Sequence, residues 1–207
     1  MFEDQIKVLL IEDEDFDVRR VENTIRPFEN RIKIIDVTSD GRSAIDLLDK
    51  KRNFYDVVIM DFQIAGGLRG AQLIKKIKDF DSALQIIVIT KMTVNITDYE
   101  FAHNLIEAGA FWYCTKYPGD IEQYIYQPTD FIMSIINAYE RKKLIKEKQK
   151  SNQKLNRNVE DILTNTLSDI HNWGFDSDLL EAKKTTGGYL AKINFVESRV
   201  RHRPQSE

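Results

Sequence analysis

Apolar positions in the first 115 residues alternate between two periods. Short β-branched runs, each nearly continuous, are separated by stretches whose apolar residues recur every three or four positions. Ile6-Lys7-Val8-Leu9-Leu10-Ile11 reads as a strand, and Asp15 to Phe28 as a helix with Val18, Val21 and Ile25 on one face. Arg31 to Val37 is a second strand, followed by a helix over Asp40–Lys51 with Ala44, Ile45, Leu47 and Leu48 inward. Asp56 to Met60 is a third strand. A glycine cluster, Gly66-Gly67-Leu68-Arg69-Gly70, marks a loop before a helix over Ala71–Asp79. Gln85 to Ile89, a helix from Thr97 to Ala108 stopped by Gly109, and a strand from Ala110 to Cys114 complete the series. Strands that alternate with helices in this way predict βαβ units and a parallel sheet. Both faces of such a sheet are covered, so its strands read as continuous apolar runs.

Residues 117–128 form a connection with two prolines and three tyrosines. A long helix opens at Thr129-Asp130, with Phe131, Ile132, Ile135, Ile136, Tyr139, Leu144 and Ile145 at helical spacing. Ser151-Asn152-Gln153 lowers its helical preference, but Leu155, Val159, Ile162 and Leu163 resume the period. At 1.5 Å per residue, a helix over 129–165 would be about 55 Å long, more than one small domain needs. The expected organisation is a unit over 1–128, a long helix over 129–165 that is a candidate coiled coil, and a small helical or partly disordered region over 166–207.

Charge divides the chain the same way. Residues 1–128 hold 16 Lys and Arg against 22 Asp and Glu, while the remainder holds 14 against 11. An acidic first part joined to a mildly basic second suggests different partners. No apolar run is long enough for a membrane span, and the acidic start lacks the form of a secretory signal, so a cytoplasmic protein is expected. The single cysteine, Cys114, excludes an internal disulfide and reads as a core residue. The three histidines are far apart and show no zinc-ligand spacing. No P-loop, G-x-S-x-G or H-E-x-x-H motif is present.

Functional groups of a parallel α/β sheet gather at the carboxyl ends of its strands. Here the first strand ends in Glu12-Asp13-Glu14-Asp15, the third in Asp61, the fourth in Thr90 and the fifth in Lys116. Several carboxylates at one edge repel unless a cation lies among them, and a hard divalent ion such as Mg²⁺ suits oxygen ligands. Such an edge is arranged for phosphoryl transfer by positioning and charge neutralisation, with Asp61 as nucleophile, Thr90 as hydrogen-bond donor and Lys116 as counter-charge. Asp15 and Asp17, in the first turn of the following helix, read as acids that favour its dipole.

Residues 6–116 resemble the receiver domain of two-component response regulators. The resemblance rests on Val8-Leu9-Leu10-Ile11-Glu12-Asp13-Glu14, Tyr55-Asp56-Val57-Val58-Ile59-Met60-Asp61, Ile87-Val88-Ile89-Thr90 and Gly109-Ala110-Phe111-Trp112-Tyr113-Cys114-Thr115-Lys116. It implies a flavodoxin-like, doubly wound sheet of five strands in the order 2-1-3-4-5. It further implies that Asp61 accepts a phosphoryl group from a histidine kinase, that Asp13, Asp61 and the Gln63 carbonyl bind Mg²⁺ directly, and that Glu12 is the outer acid. Thr90 and Lys116 would contact the phosphoryl group, and Tyr113 falls at the switch-aromatic position. Three departures stand out: Lys116-Tyr117-Pro118 where Lys-Pro is usual, Lys91 where a small residue is preferred, and Ala65 where proline is usual, with Gly70 one residue late.

Two outputs stay open for the second half. The long helix resembles signalling helices that dimerise, giving a homodimer through this helix or through a receiver face. Alternatively, Asp178–Lys184 and Tyr189–Arg203 around Gly187-Gly188 have a faint helix-turn-helix look, with Lys192, Arg199, Arg201 and Arg203 placed to meet DNA phosphates.

Overall fold

The structure is a computed structural model and describes residues 5–91, 99–117 and 124–172. Five strands form one parallel sheet: β1 (Ile6–Ile11), β2 (Ile32–Thr38), β3 (Val57–Asp61), β4 (Gln85–Thr90) and β5 (Trp112–Thr115), in the order β2-β1-β3-β4-β5. The helices between them are α1 (Asp15–Ile25), α2 (Gly41–Lys50), α3 (Gly70–Phe80) and α4 (Tyr99–Ala108), and α5 (Pro128–Asn172) follows β5. The expected sheet and its order are therefore present.

The pleat assigns alternate residues of each strand to opposite layers. Ile6, Val8, Leu10, Val57, Ile59, Ile87 and Ile89 join Val21 and Ile25 of α1 and Phe131, Ile132, Ile135 and Ala138 of α5 in one buried cluster. Leu9, Ile11, Val58, Met60, Ile86 and Val88 join residues of α2, α3 and α4 in the other. The three inner strands are buried on both sides, as their unbroken apolar runs require. The edge strands are not: Val37 of β2 is 44% exposed and Trp112 of β5 is 50% exposed.

Most boundaries fall within three residues of the sequence reading and differ for local reasons, whereas α5 runs to Asn172, seven residues beyond the expected end at 165. Asp40 lies outside α2 as its N-cap, accepting from the Arg42 and Ser43 amides. Proline follows Arg26, and α1 gives way there to a single tight turn over Arg26–Phe28. Gly109, at φ +96°, ends α4. The amide of Ala110 reaches the Leu105 carbonyl across it, the closing bond of a left-handed helix stop. Cys114 is buried, and burial pushes its thiol up to about 12. Among the described residues no peptide bond is cis, so the bond after Lys116 is trans.

Two close approaches carry testable consequences. A Cβ on Gly41 would lie 2.1 Å from the Leu68 carbonyl oxygen. Gly41→Ala therefore has to displace the backbone of the loop after β3, and we expect it to destabilise the fold by about 1–3 kcal/mol, read from denaturant midpoints at unchanged slope. Phe131, fully buried, anchors the start of α5 against β1 and β3. Phe131→Ala is expected to cost about 3–5 kcal/mol. A cost below about 1 kcal/mol would mean that α5 docks without it.

The chain divides into two units, Met1–Gln149 and Lys150–Glu207, with the boundary inside α5. In the first unit α5 is held by its apolar stripe and by two lysines. The buried Lys142 ammonium donates to the Tyr55 carbonyl and, at 3.3 Å, to Asp56, and Lys146 pairs with Asp81 at 3.0 Å. In the second unit Leu155, Val159 and Ile162 are exposed. The helix runs unbroken through Ser151-Asn152-Gln153 despite the lower propensity there. The helix-turn-helix expectation over Asp178–Arg203 lies outside the described residues. No helix among the described residues is long and apolar enough to cross a membrane.

Candidate functional site

The carboxyl ends of β1, β3, β4 and β5 deliver Glu12, Asp13, Asp61, Thr90 and Lys116 to one edge of the sheet. β1 and β3 are adjacent, with Ile11 in register with Met60, so the residues after each strand emerge side by side. β4 lies next to β3 and β5 next to β4, and Thr90 pairs with Thr115. The Lys116 amide donates to the Thr90 carbonyl at 2.8 Å, which ties the lysine to the end of β4.

At the centre is the buried Lys116 ammonium. It donates to Asp61 Oδ2 at 2.8 Å, Glu12 Oε2 at 2.7 Å and Asp17 Oδ2 at 2.9 Å. Burial alone would lower the lysine pKa, but hydrogen bonds to Asp17, Asp61 and Glu12 outweigh it and hold the group above its ordinary value. Burial raises Glu12 from its ordinary 4.5 to about 7, against the downward pull of Lys116.

Asp13 is exposed and accepts from the Ala65 amide at 3.0 Å, while the Gln63 amide donates to Asp61 Oδ1 at 3.0 Å. The loop after β3 is thus folded back onto the carboxylates by its own main chain, with alanine rather than proline at its bend. Oxygen atoms of Glu12, Asp13 and Asp61 all lie within 4.8 Å of one another. Of these three carboxylates Lys116 pairs with Glu12 and Asp61, and Asp13 meets only the Ala65 amide, leaving net negative charge on an all-oxygen donor set. That chemistry fits a hard dication that keeps part of its water shell.

One side chain at this edge has a different role from that read in the sequence. Asp17, read as a helix-dipole acid, is fully buried and makes no capping bond. Its Oδ1 accepts from Arg20 at 2.9 Å and its Oδ2 from Lys116. Its burial would raise its pKa, yet Lys116, Arg20 and Lys91 together hold the carboxyl below the usual range. The signal was present: Asp17 stands four residues before Val21, so helical spacing places it on the face of α1 that turns inward. Lys91 is half-exposed, and its ammonium lies 2.6 Å from both oxygens of Glu14 and 3.7 Å from Asp17. It therefore links the end of β4 to the loop after β1.

Tyr113 on β5 is part-buried. Its hydroxyl accepts from Thr115 at 3.2 Å, and its ring meets Phe101 of α4 edge-on at 5.9 Å. An apolar hollow lined by Phe101, Leu105, Ile106, Phe111, Trp112 and Tyr113 lies beside it. Gln63 is exposed on the loop after β3.

Solved structures share this fold. The signal receiver domain of a modulated diguanylate cyclase from Desulfovibrio desulfuricans G20 is 21% identical, with 68% of this chain covering 98% of that one at a TM-score of 0.55. The response regulator domain of Thermotoga maritima CheB is also 21% identical, with coverages of 66% and 98% and a TM-score of 0.56. The CheX-CheY-BeF3-Mg complex from Borrelia burgdorferi matches at 18% identity over 65% and 89%, at a TM-score of 0.52. No curated protein sequence matches. The family model for the response regulator receiver domain matches residues 8–125, which take in the sheet from Val8 onward and every acid and base just described. This chain therefore belongs to the response regulator receiver domain family.

Proposed function

We propose that this protein is a phosphorylation-controlled response regulator in which Asp61 accepts a phosphoryl group from a histidine kinase. The observation that carries the reading is the shared ammonium: Lys116 binds Asp61 and Glu12 at once, beside a triad of acids suited to a divalent cation. Receiver domains bind Mg²⁺ at an acidic site, and here Asp13, Asp61 and the Gln63 carbonyl would hold it, with Glu12 acting through water. The ion would supply positive charge against the incoming phosphoryl oxygens.

An Asp61 oxygen forms the new bond to phosphorus. The bond that breaks joins phosphorus to the kinase histidine nitrogen, and the imidazole leaves neutral once it has gained a proton. Lys116 neutralises charge on the transferred group, and the Thr90 hydroxyl donates to one of its oxygens. The product places about −1.5 to −2 charge, spread over three oxygens, where the carboxylate carried a single negative charge at a buried edge. Movement of Thr90 toward that charge and of Tyr113 into the space behind it would bias α4 and β5.

Incubation with a small phosphodonor and Mg²⁺ is expected to add one acid-stable, hydroxylamine-labile phosphoryl group per chain, read by intact mass. Chelation of the metal should abolish it. Incorporation that ignores the chelator would overturn the Mg²⁺ assignment, and no incorporation at all would overturn the phosphoacceptor reading.

Lys91 bears on how long the product lasts. Its pairing with Glu14 joins the end of β4 to the loop after β1, and would restrict the approach of water to Asp61. Lys91→Ala is expected to speed hydrolysis of the phosphorylated form several-fold, measured as decay of the mass adduct after the donor is removed. An unchanged lifetime would show that the pair does not control access.

For the output, the exposed Leu155, Val159 and Ile162 favour association through α5 over DNA binding. Phosphorylation should raise the mass in light scattering to that of a homodimer. An unchanged mass would exclude phospho-dependent dimerisation. DNA binding would then be tested on the full chain across a salt series, where sequence preference at physiological salt would restore it.

A further inference from the structure

Arg20 is a buried guanidinium that phosphoryl transfer does not use. It is 2% exposed, far less than an arginine on a surface helix of an α/β fold commonly is. Its Nη1 donates to Asp17 Oδ1 at 2.9 Å. Its Nη2 donates to the Tyr117 carbonyl at 2.7 Å and the Tyr124 carbonyl at 2.9 Å, and its Nε to the Tyr124 carbonyl at 3.1 Å. One fork thus spans α1 and both flanks of the connection between β5 and α5. Thr24, one turn on, continues the clamp, since its hydroxyl accepts from the Ile125 amide at 3.2 Å. The two flanks are tied to each other by the Tyr117 amide, which donates to the Ile125 carbonyl at 2.9 Å. Helix α5 begins three residues later, at Pro128.

We propose that Asp17 and Arg20 form a buried charge relay that couples the state of Lys116 to the main chain at the root of α5. The relay rests on the reading of Asp61 as phosphoacceptor. Its physical basis is that one carboxylate serves two cations: Oδ2 of Asp17 holds Lys116 while Oδ1 holds Arg20. When Lys116 turns to a phosphoryl group on Asp61, Asp17 loses a buried partner. Uncompensated charge in a buried site is costly, so Asp17 draws more strongly on the cations that remain, Arg20 in hydrogen-bond contact and the half-exposed Lys91 at 3.7 Å. Arg20, the buried one, is the cation whose other N–H groups pin Tyr117 and Tyr124. The pull on the guanidinium weakens those bonds and loosens the root of the helix. This route leaves the sheet through α1 and does not pass through Tyr113, Phe101 or α4.

Residue-resolved amide exchange on the full chain tests it, with Mg²⁺ and beryllofluoride as the phosphoryl probe. The Thr90 and Lys116 amide shifts report occupancy of the site. The Tyr117 and Ile125 amides, both hydrogen-bonded at the root, report the relay. In the natural chain the probe should shift the first pair and speed exchange of the second several-fold. Asp17→Asn removes the charge with little change of shape. Arg20→Lys keeps the charge but lacks the fork that reaches both carbonyls, and covers the case in which Asp17→Asn does not fold. In either variant the site shifts should persist while the acceleration at the root disappears.

Acceleration retained in both variants would overturn the relay. A silent root in the natural chain, with the site shifts present, would also overturn it and leave Asp61 as phosphoacceptor. Absence of the site shifts in the natural chain would instead overturn the phosphoacceptor reading, and the relay with it.

Discussion

Asp61→Asn is expected to reduce phosphoryl incorporation from a small donor to background. The reason is chemical rather than structural. Asparagine keeps the shape and one acceptor oxygen, which can take the Gln63 amide or the Lys116 ammonium but not both, since Asp61 accepts these two bonds on separate oxygens. It lacks the anionic oxygen that must form the bond to phosphorus. The variant should fold, and its loss of one negative charge relieves crowding with Glu12. Other carboxylates stand close, but they are not equivalent. Glu12 is buried against Lys116, and burial raises it to about 7, which makes it a poorer anion at neutral pH. Asp13 is exposed and directed to the Ala65 amide. Intact mass and a peptide map of both proteins make the check. Equal incorporation in the variant would remove Asp61 from the reaction, and a map that moved the adduct to Asp13 would make that residue an alternative acceptor.

Lys116→Met should destabilise the metal-free protein by about 3–5 kcal/mol, the usual cost of leaving buried charges without their partner. Methionine retains most of the volume and the apolar stem, so the loss isolates the ammonium. Three carboxylates, Glu12, Asp17 and Asp61, then share a buried site with no cation that all of them touch. Asp17 keeps Arg20, whereas Glu12 and Asp61 lose their only ion-pair partner among the described residues. Two controls separate this electrostatic cost from a packing defect. Mg²⁺ should narrow the gap between the variant and the natural chain, because positive charge returns to the same acids. Acidification should narrow it as well. Glu12 has a folded pKa raised from 4.5 to about 7, so its contribution to stability is largest below the unfolded value and is lost as pH rises through about 7. Without Lys116, whose pull lowers Glu12, the folded value rises further and the loss at neutral pH deepens. Denaturant unfolding at two pH values, with and without Mg²⁺, makes the check. A loss under 1 kcal/mol, or one indifferent to both pH and metal, would show that Lys116 does not hold these acids together.

Most of this architecture was legible along the chain because its signals are local. A strand buried on both faces announces itself as an apolar run, and the run over Ile86–Ile89 is as plain in the sequence as in the sheet. Parallel order then brings every strand end to one edge, so Glu12, Asp13, Asp61, Thr90 and Lys116 could be read off as neighbours before any distance was known. The start of α5 was legible too, from Phe131, Ile132 and Ile135 at helical spacing.

The tertiary structure alone decided which charges meet. Asp17 and Lys116 are 99 residues apart, Arg20 and Tyr124 are 104, and Lys91 and Glu14 are 77. No periodicity links such pairs, since an ammonium on a strand end and a carboxylate on a helix find each other only once crossovers place them. Asp17 shows the difference most clearly. Local rules allow an acid in the first turn of a helix for its dipole, and they are satisfied whether the side chain faces solvent or the core. The choice was made by Lys116 and Arg20, two cations whose burial requires an anion between them.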